Sequence, residues 1–180
     1  EDATRSLAQF ASVGYDRPMP LGPGVTVTFR DAGHILGSSV VVLDVEEKGS
    51  KKRILFTGDL GRVGVPILCD PQPVEDVDYL IIESTYGDRT HDPVELMDSE
   101  LREVVISTYR QGGKVIVPAF AVGRTQDLVY ALHRLVRAQK LPDLPIYVDS
   151  PLAVNVTEVF RLHPEYYDEE TRAFIEAGNG

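Results

Sequence analysis

Tryptophan is absent from this chain and cysteine occurs once, at Cys69. A single cysteine excludes an internal disulfide and any cysteine-clustered zinc site, and it suits a reducing compartment. A bound metal would therefore rest on His, Asp and Glu, and histidine is itself scarce, with four in the chain. Positive charge is short as well: 18 Lys and Arg stand against 28 Asp and Glu, a formal net charge of -10. That balance weighs against a broadly basic nucleic-acid surface, because phosphate binding is carried largely by Lys and Arg. It does not exclude such binding, since metal-dependent hydrolases gather carboxylates around cations and a short basic groove can sit within an acidic remainder. No stretch reaches the roughly 18 consecutive apolar residues of a membrane span, and the opening EDATRSLAQF lacks the basic and apolar regions of a signal peptide. The expectation is a cytoplasmic protein with no membrane association. What is present is a 43% hydrophobic share over 180 residues, enough for a real core in one large domain or parts of two.

Alternation in VTVTFR, Val25 to Arg30, and the β-branched run SSVVVLDVEE, Ser38 to Glu47, predict paired strands, and a polar Gly-Ser turn leads to a third at Arg53 to Phe56. After a Pro-rich loop, YLIIES is a continuous apolar run of the buried-strand type, ending at Glu83. From there the period changes. DPVELMDSELREVVISTYRQGG has helical spacing and closes on Gly112 and Gly113. KVIVPAF predicts a strand, TQDLVYALHRLVRAQK a helix and PIYVDS a strand. SPLAVNVTEVFRL predicts a further helix with Ser150 as N-cap and Pro151 at its first position. A β-meander thus gives way to alternating α and β, the order of a parallel sheet with crossover helices. The opening TRSLAQFASVGYDRP reads as the middle of a helix, and the chain stops before a second sheet could close, so it is expected to be an excerpt.

Three groups with chemistry sit directly after apolar strands: His34 after VTVTFRDAG, Asp59 after RILFTG, and Glu83 after YLII. Strand ends are where open α/β sheets bind ligands, because the backbone is rigid there and the loops beyond can be shaped. Neighbouring glycines, as in AGHILGSS and TGDLGR, allow sharp turns and the close approach of a metal or phosphate. A neutral imidazole nitrogen with an anionic carboxylate suits zinc or manganese better than calcium. From composition and spacing alone, His34 reads either as a ligand or as a satisfied structural histidine, and Asp59 reads as a turn or cap residue.

The ordered series DAGHILGSS, LFTGDLGR, IIESTYGDRTH, VIVPAFAVGRTQDL and YVDSPLA closely resembles the β-CASP branch of the metallo-β-lactamase fold, a family of RNA-processing nucleases. The resemblance runs from Pro18 to Leu162. It implies an α/β chain with a metallo-β-lactamase-like αββα part followed by part of a Rossmann-like β-CASP insertion with a parallel sheet. Residues 1–88 would be the C-terminal portion of the first domain and 89–180 the N-terminal portion of the second. It also implies two divalent metal ions, zinc expected. His34 would be a ligand of one, and the Asp59 carboxylate would bridge both. Glu83 would tune a histidine that protonates the leaving group, so that Asp59 and Glu83 are the catalytic pair. Ser84, Gly123 and Arg124 would face the phosphate path. Two such ions roughly 3.5 to 4 Å apart can generate hydroxide at neutral pH and stabilise charge on a phosphodiester. At AVGRTQ, a helix N-terminus and the Arg124 fork suit phosphate oxygens. The alternative for Arg124 is a solvated helix-start residue paired with Asp127.

The family's H-x-H-x-D-H motif and its later histidines are absent from this sequence. Only two ligands are then available, fewer than a zinc site uses, and the chain alone is expected to be inactive. His91 reads as a loop residue or, being near Glu83, as a cleft residue, His133 and His163 as surface or core positions, Cys69 as a structural thiol, and Leu128, Ala131, Leu132 and Leu135 as core. RNA is the expected partner, with single-stranded DNA open because nothing visible here contacts a 2′-hydroxyl. A homodimer is expected through apolar surface exposed at the domain boundary. Two rival readings stay open: a non-catalytic scaffold subunit of an RNA-processing complex, and a small-molecule metallo-hydrolase.

Overall fold

The computed structural model describes residues 2–179 and is α/β in class. It divides into two compact units: Glu1–Ala32, Gly37–Leu60 and Gln72–Glu83 form the first, and Gly33–Leu36, Gly61–Pro71 and Ser84–Gly180 the second.

The first unit opens with helix α1, Asp2–Ser6, and a 3-10 turn at Leu7–Gln9. The helix expected through TRSLAQFASVGYDRP is therefore short. No residue of α1 is buried, so no packing rewards its extension, and short helices are marginal without packing. A five-stranded sheet follows in the order β1 (Met19–Gly22), β2 (Val25–Asp31), β3 (Ser39–Glu47), β4 (Ser50–Phe56) and β5 (Tyr79–Ile81). β2 and β3 pair antiparallel from Val25 opposite Val45 to Asp31 opposite Ser39, as the alternation predicts. Lys48 and Gly49 both take positive φ, 51° and 80°, which makes the two-residue turn whose twist matches a hairpin. Val40, Val42 and Leu55 fall on one face, with Val42 directly opposite Leu55. Ala32, Leu60, Val74 and Val77 complete that core.

β4 and β5 run parallel, Ile54 opposite Tyr79 and Phe56 opposite Ile81. Asp78 fixes the register by accepting from Lys52 Nζ at 2.6 Å and from the Arg53 backbone N–H at 2.8 Å. The apolar run of β5 is not buried: Tyr79, Leu80, Ile81 and Ile82 are each half exposed or more. β5 is an edge strand, and an apolar run has the same letters whether or not a neighbour covers it.

The second unit is helical. A 3-10 turn at Val94–Leu96 leads into α2 (Met97–Arg110), followed by α3 (Arg124–Arg137), α4 (Pro151–Arg161) and α5 (Glu169–Phe174). Ser150 caps α4 as predicted, its Oγ accepting the Ala153 N–H at 3.2 Å. Leu135 of the predicted apolar stripe packs with Val105 and Leu141. A second cluster holds Ile67, Phe160 and Tyr167.

The strands predicted at KVIVPAF and PIYVDS carry no ladder. The one β-pairing among the described residues of this unit is the bridge between Leu68 and Tyr167. β-Branched composition favours an extended chain, but a strand needs a partner's N–H and C=O groups, and Ile116 and Tyr147 stand 87% and 86% exposed. Residues 61–71 dock instead on the segment around α5. Ile67 N–H donates to Thr171 Oγ1 at 3.2 Å, Asp168 N–H to the Ile67 carbonyl at 2.9 Å, and the Cys69 thiol to the Tyr167 carbonyl at 3.4 Å, a structural use of that cysteine.

Candidate active site

Asp59 lies in the first unit, exposed, in the turn that leaves β4. Three hydrogen bonds bracket that turn. Thr57 N–H donates to the Ile81 carbonyl at 3.0 Å, Glu83 N–H donates to Thr57 Oγ1 at 3.2 Å, and Leu60 N–H donates to Glu83 Oε1 at 2.6 Å. Gly58 sits at φ 55°, a left-handed conformation that a side chain would resist. Glu83 is thus brought to the Asp59 turn, and what it visibly does there is fasten the residue after Asp59. Thr57, 4% exposed, is the residue that sequence reasoning missed. Its signal was only that a hydroxyl precedes Gly58 and Asp59 at the strand end.

His34, Ser84, Gly123 and Arg124 belong to the second unit. His34 is exposed between Gly33 and Gly37, at φ 60° and 85°. A Cβ on Gly33 would stand 2.6 Å from the Cys69 carbonyl, and one on Gly61 would fall on the Gly33 carbonyl, so the backbone around His34 closes to a spacing only glycine permits. A Cβ on Gly123 would come within 3.0 Å of Ile35 Cγ2, which places the start of α3 against the His34 turn. Gly123 is the residue preceding α3, at φ 78°, and the exposed Arg124 opens the helix. Ser84 is exposed and its carbonyl accepts the Gly87 N–H at 3.0 Å.

In α3, Gln126 went unread, and Asp127 was read only as a partner for Arg124. Gln126 is 6% exposed, and its Nε2 donates to the Ala121 carbonyl at 3.2 Å, the Ala153 carbonyl at 3.3 Å and Thr157 Oγ1 at 3.0 Å. It ties the Gly123 turn to the first turns of α4. Its Oε1 is buried with no partner among the described residues. Burial pushes the Asp127 carboxyl up to about 6, while Arg124 and His34, both close enough to act through their charge, pull it the other way. The signal for both residues was a Gln-Asp pair in the first turn of a helix, where a carboxylate is ordinarily solvated.

No group of three or more His, Cys, Asp or Glu side chains placed to hold a metal ion occurs among the described residues. His34 and Asp59 have the right donor chemistry, but they do not make a metal centre by themselves. No helix of the described residues is long and apolar enough to cross a membrane.

A family model described as the Beta-Casp domain matches residues 125–179. Over 180 aligned residues the chain is 35% identical to the protein named Ribonuclease TTHA0252 of Thermus thermophilus, covering 99% of this chain and 40% of that protein. It is 31% identical to an RNase J-like protein of Methanocaldococcus jannaschii, with 98% of this chain and 41% of the relative aligned. It is 32% identical to cleavage and polyadenylation specificity factor subunit 3 of Dictyostelium discoideum, covering 99% of this chain and 23% of that protein. The chain therefore spans about two fifths or less of the length of these relatives.

Proposed function

We propose, from the premise that this chain belongs to the β-CASP family, its residues 125–179 matching the Beta-Casp domain, that the polypeptide its gene encodes is a metal-dependent ribonuclease. The observation that carries the reading is the bracketed Asp59 turn, in which an exposed carboxylate stands at a strand end whose flanking backbone is fastened through Thr57 and Glu83. Similarity along nearly the whole chain to proteins named as ribonucleases supports it.

His34 and Asp59 would each contribute a side chain to a divalent metal pair, zinc first, whose remaining ligands are not among the described residues. Divalent ions supply Lewis acidity at a phosphodiester. Glu83 acts on that site through Leu60, as a positioning residue, and its tuning of a proton-donating histidine belongs to the same reading. Arg124 offers a planar fork to phosphate oxygens, and Gly123 lets the backbone come close. We place the domain boundary between residues 88 and 89, RNA as the substrate, the cytoplasm as the compartment, and the apolar β5 edge as a surface that favours a homodimer.

The test is metal content together with cleavage of labelled RNA and DNA by the gene-encoded polypeptide. Bound metal and RNA cleavage, lost on Asp59→Ala, support the ribonuclease. A metal-free protein inactive on RNA contradicts it and favours the scaffold.

A further inference from the structure

Directly after Glu83 the chain makes two successive tight turns, with Gly87 N–H donating to the Ser84 carbonyl at 3.0 Å and Arg89 N–H to the Tyr86 carbonyl at 3.2 Å. Their product is an ordered group on the surface of the second unit. The Tyr86 and His91 rings meet edge to face with centroids 4.6 Å apart, and the Arg89 guanidinium lies 5.9 Å from the Tyr86 ring centre. Arg89 is itself anchored, Nε to Asp88 Oδ1 at 2.9 Å, and Arg62 Nη2 holds the far side of the loop through the Asp92 carbonyl. Despite these fastenings Tyr86 stays 55% exposed. A half-exposed aromatic ring already ordered by an imidazole and a cation costs little further ordering when a flat partner arrives.

The charges select the partner. Asp88 and Asp92 flank Arg89, and Arg89 is already paired, so the loop offers no excess of positive charge for a phosphate. It offers a half-exposed tyrosine ring, and stacking on aromatic rings is how sequence-tolerant single-strand binders hold bases. We propose that Tyr86, steadied by His91 and Arg89, is a stacking platform for one base of a single-stranded RNA. The inference rests on the ribonuclease reading and adds a base subsite to it.

The test uses the gene-encoded polypeptide and a single-stranded RNA carrying 2-aminopurine, whose fluorescence is quenched by stacking. Wild type should bind with quenching at one position. Tyr86→Leu should lose that quenching and weaken binding about 5- to 150-fold, the range for one stacked base, while Tyr86→Phe keeps both. If Tyr86→Leu fails to fold, wild type binding to a series of RNAs with one abasic position each decides. A single position must carry the loss, and an even spread overturns the platform. Wild-type affinity and quenching in a folded Tyr86→Leu also overturn it, and continued RNA cleavage by that variant leaves the ribonuclease standing. A wild type that neither binds nor cleaves RNA removes the ribonuclease reading and this inference together.

Discussion

Glu83 Oε1 accepts the Leu60 backbone N–H at 2.6 Å, so a carboxylate just beyond β5 fixes the residue that follows Asp59. The bond is charge-assisted and joins two strand ends that the parallel pairing of β4 and β5 has already set side by side. Glu83→Ala leaves the Leu60 N–H without this partner and should cost about 1 to 3 kcal/mol in urea unfolding. Glu83→Gln, whose amide oxygen still accepts, should cost less. Equal stability of Glu83→Ala and wild type would mean that the tether carries nothing.

Gly61 and Gly64 separate steric exclusion from backbone preference. A Cβ on Gly61 collides with the Gly33 carbonyl beside His34, whereas Gly64, at φ 77°, has open space around it. Gly61→Ala should therefore destabilise the protein by about 3 kcal/mol or more, and Gly64→Ala by about 1 kcal/mol, the ordinary cost of a left-handed alanine. Urea midpoints for the two variants check this, and similar losses would contradict the close packing of the His34 turn.

Gln126 joins α3 to α4 through one buried amide. Gln126→Leu leaves the Ala121 carbonyl without this donor and the Ala153 carbonyl with the Thr157 hydroxyl, and should cost about 1 to 3 kcal/mol. Thr157→Val, which removes only one acceptor of that amide, should cost less. The reverse order in thermal or urea unfolding would contradict the clamp.

Asp127 gives the pH dependence. Its carboxyl rises from 3.8 to about 6 because it is buried, so the folded chain holds this proton more tightly than the unfolded one. That contribution to stability is fully present below about pH 4 and is lost as pH rises through about 6. Asp127→Asn removes the titration. Its unfolding free energy minus that of wild type should climb by about 2 to 3 kcal/mol between about pH 4 and about pH 7. A difference that stays flat across that interval contradicts the burial argument.

The hydrophobic period made β2, β3, β4 and α2 to α4 legible, and the Ser150 cap with them, because each is written within 14 consecutive residues or fewer. Strand status at KVIVPAF and PIYVDS was not legible, since composition records propensity and a ladder depends on a partner elsewhere. The exposure of β5 escaped for the same reason. Motif order brought Asp59, Glu83, His34 and Arg124 forward. Thr57 and Gln126 act through side chain to backbone bonds that leave no periodic trace. The docking of Ile67 on Thr171 joins positions 104 apart, beyond any local pattern.

The most direct measurement is the rate at which the gene-encoded polypeptide cleaves a labelled single-stranded RNA, compared with its Asp59→Ala variant of matched fold. Wild type should cleave the RNA, and the variant should lose that cleavage. Undiminished cleavage by Asp59→Ala would contradict the central place given to that carboxylate.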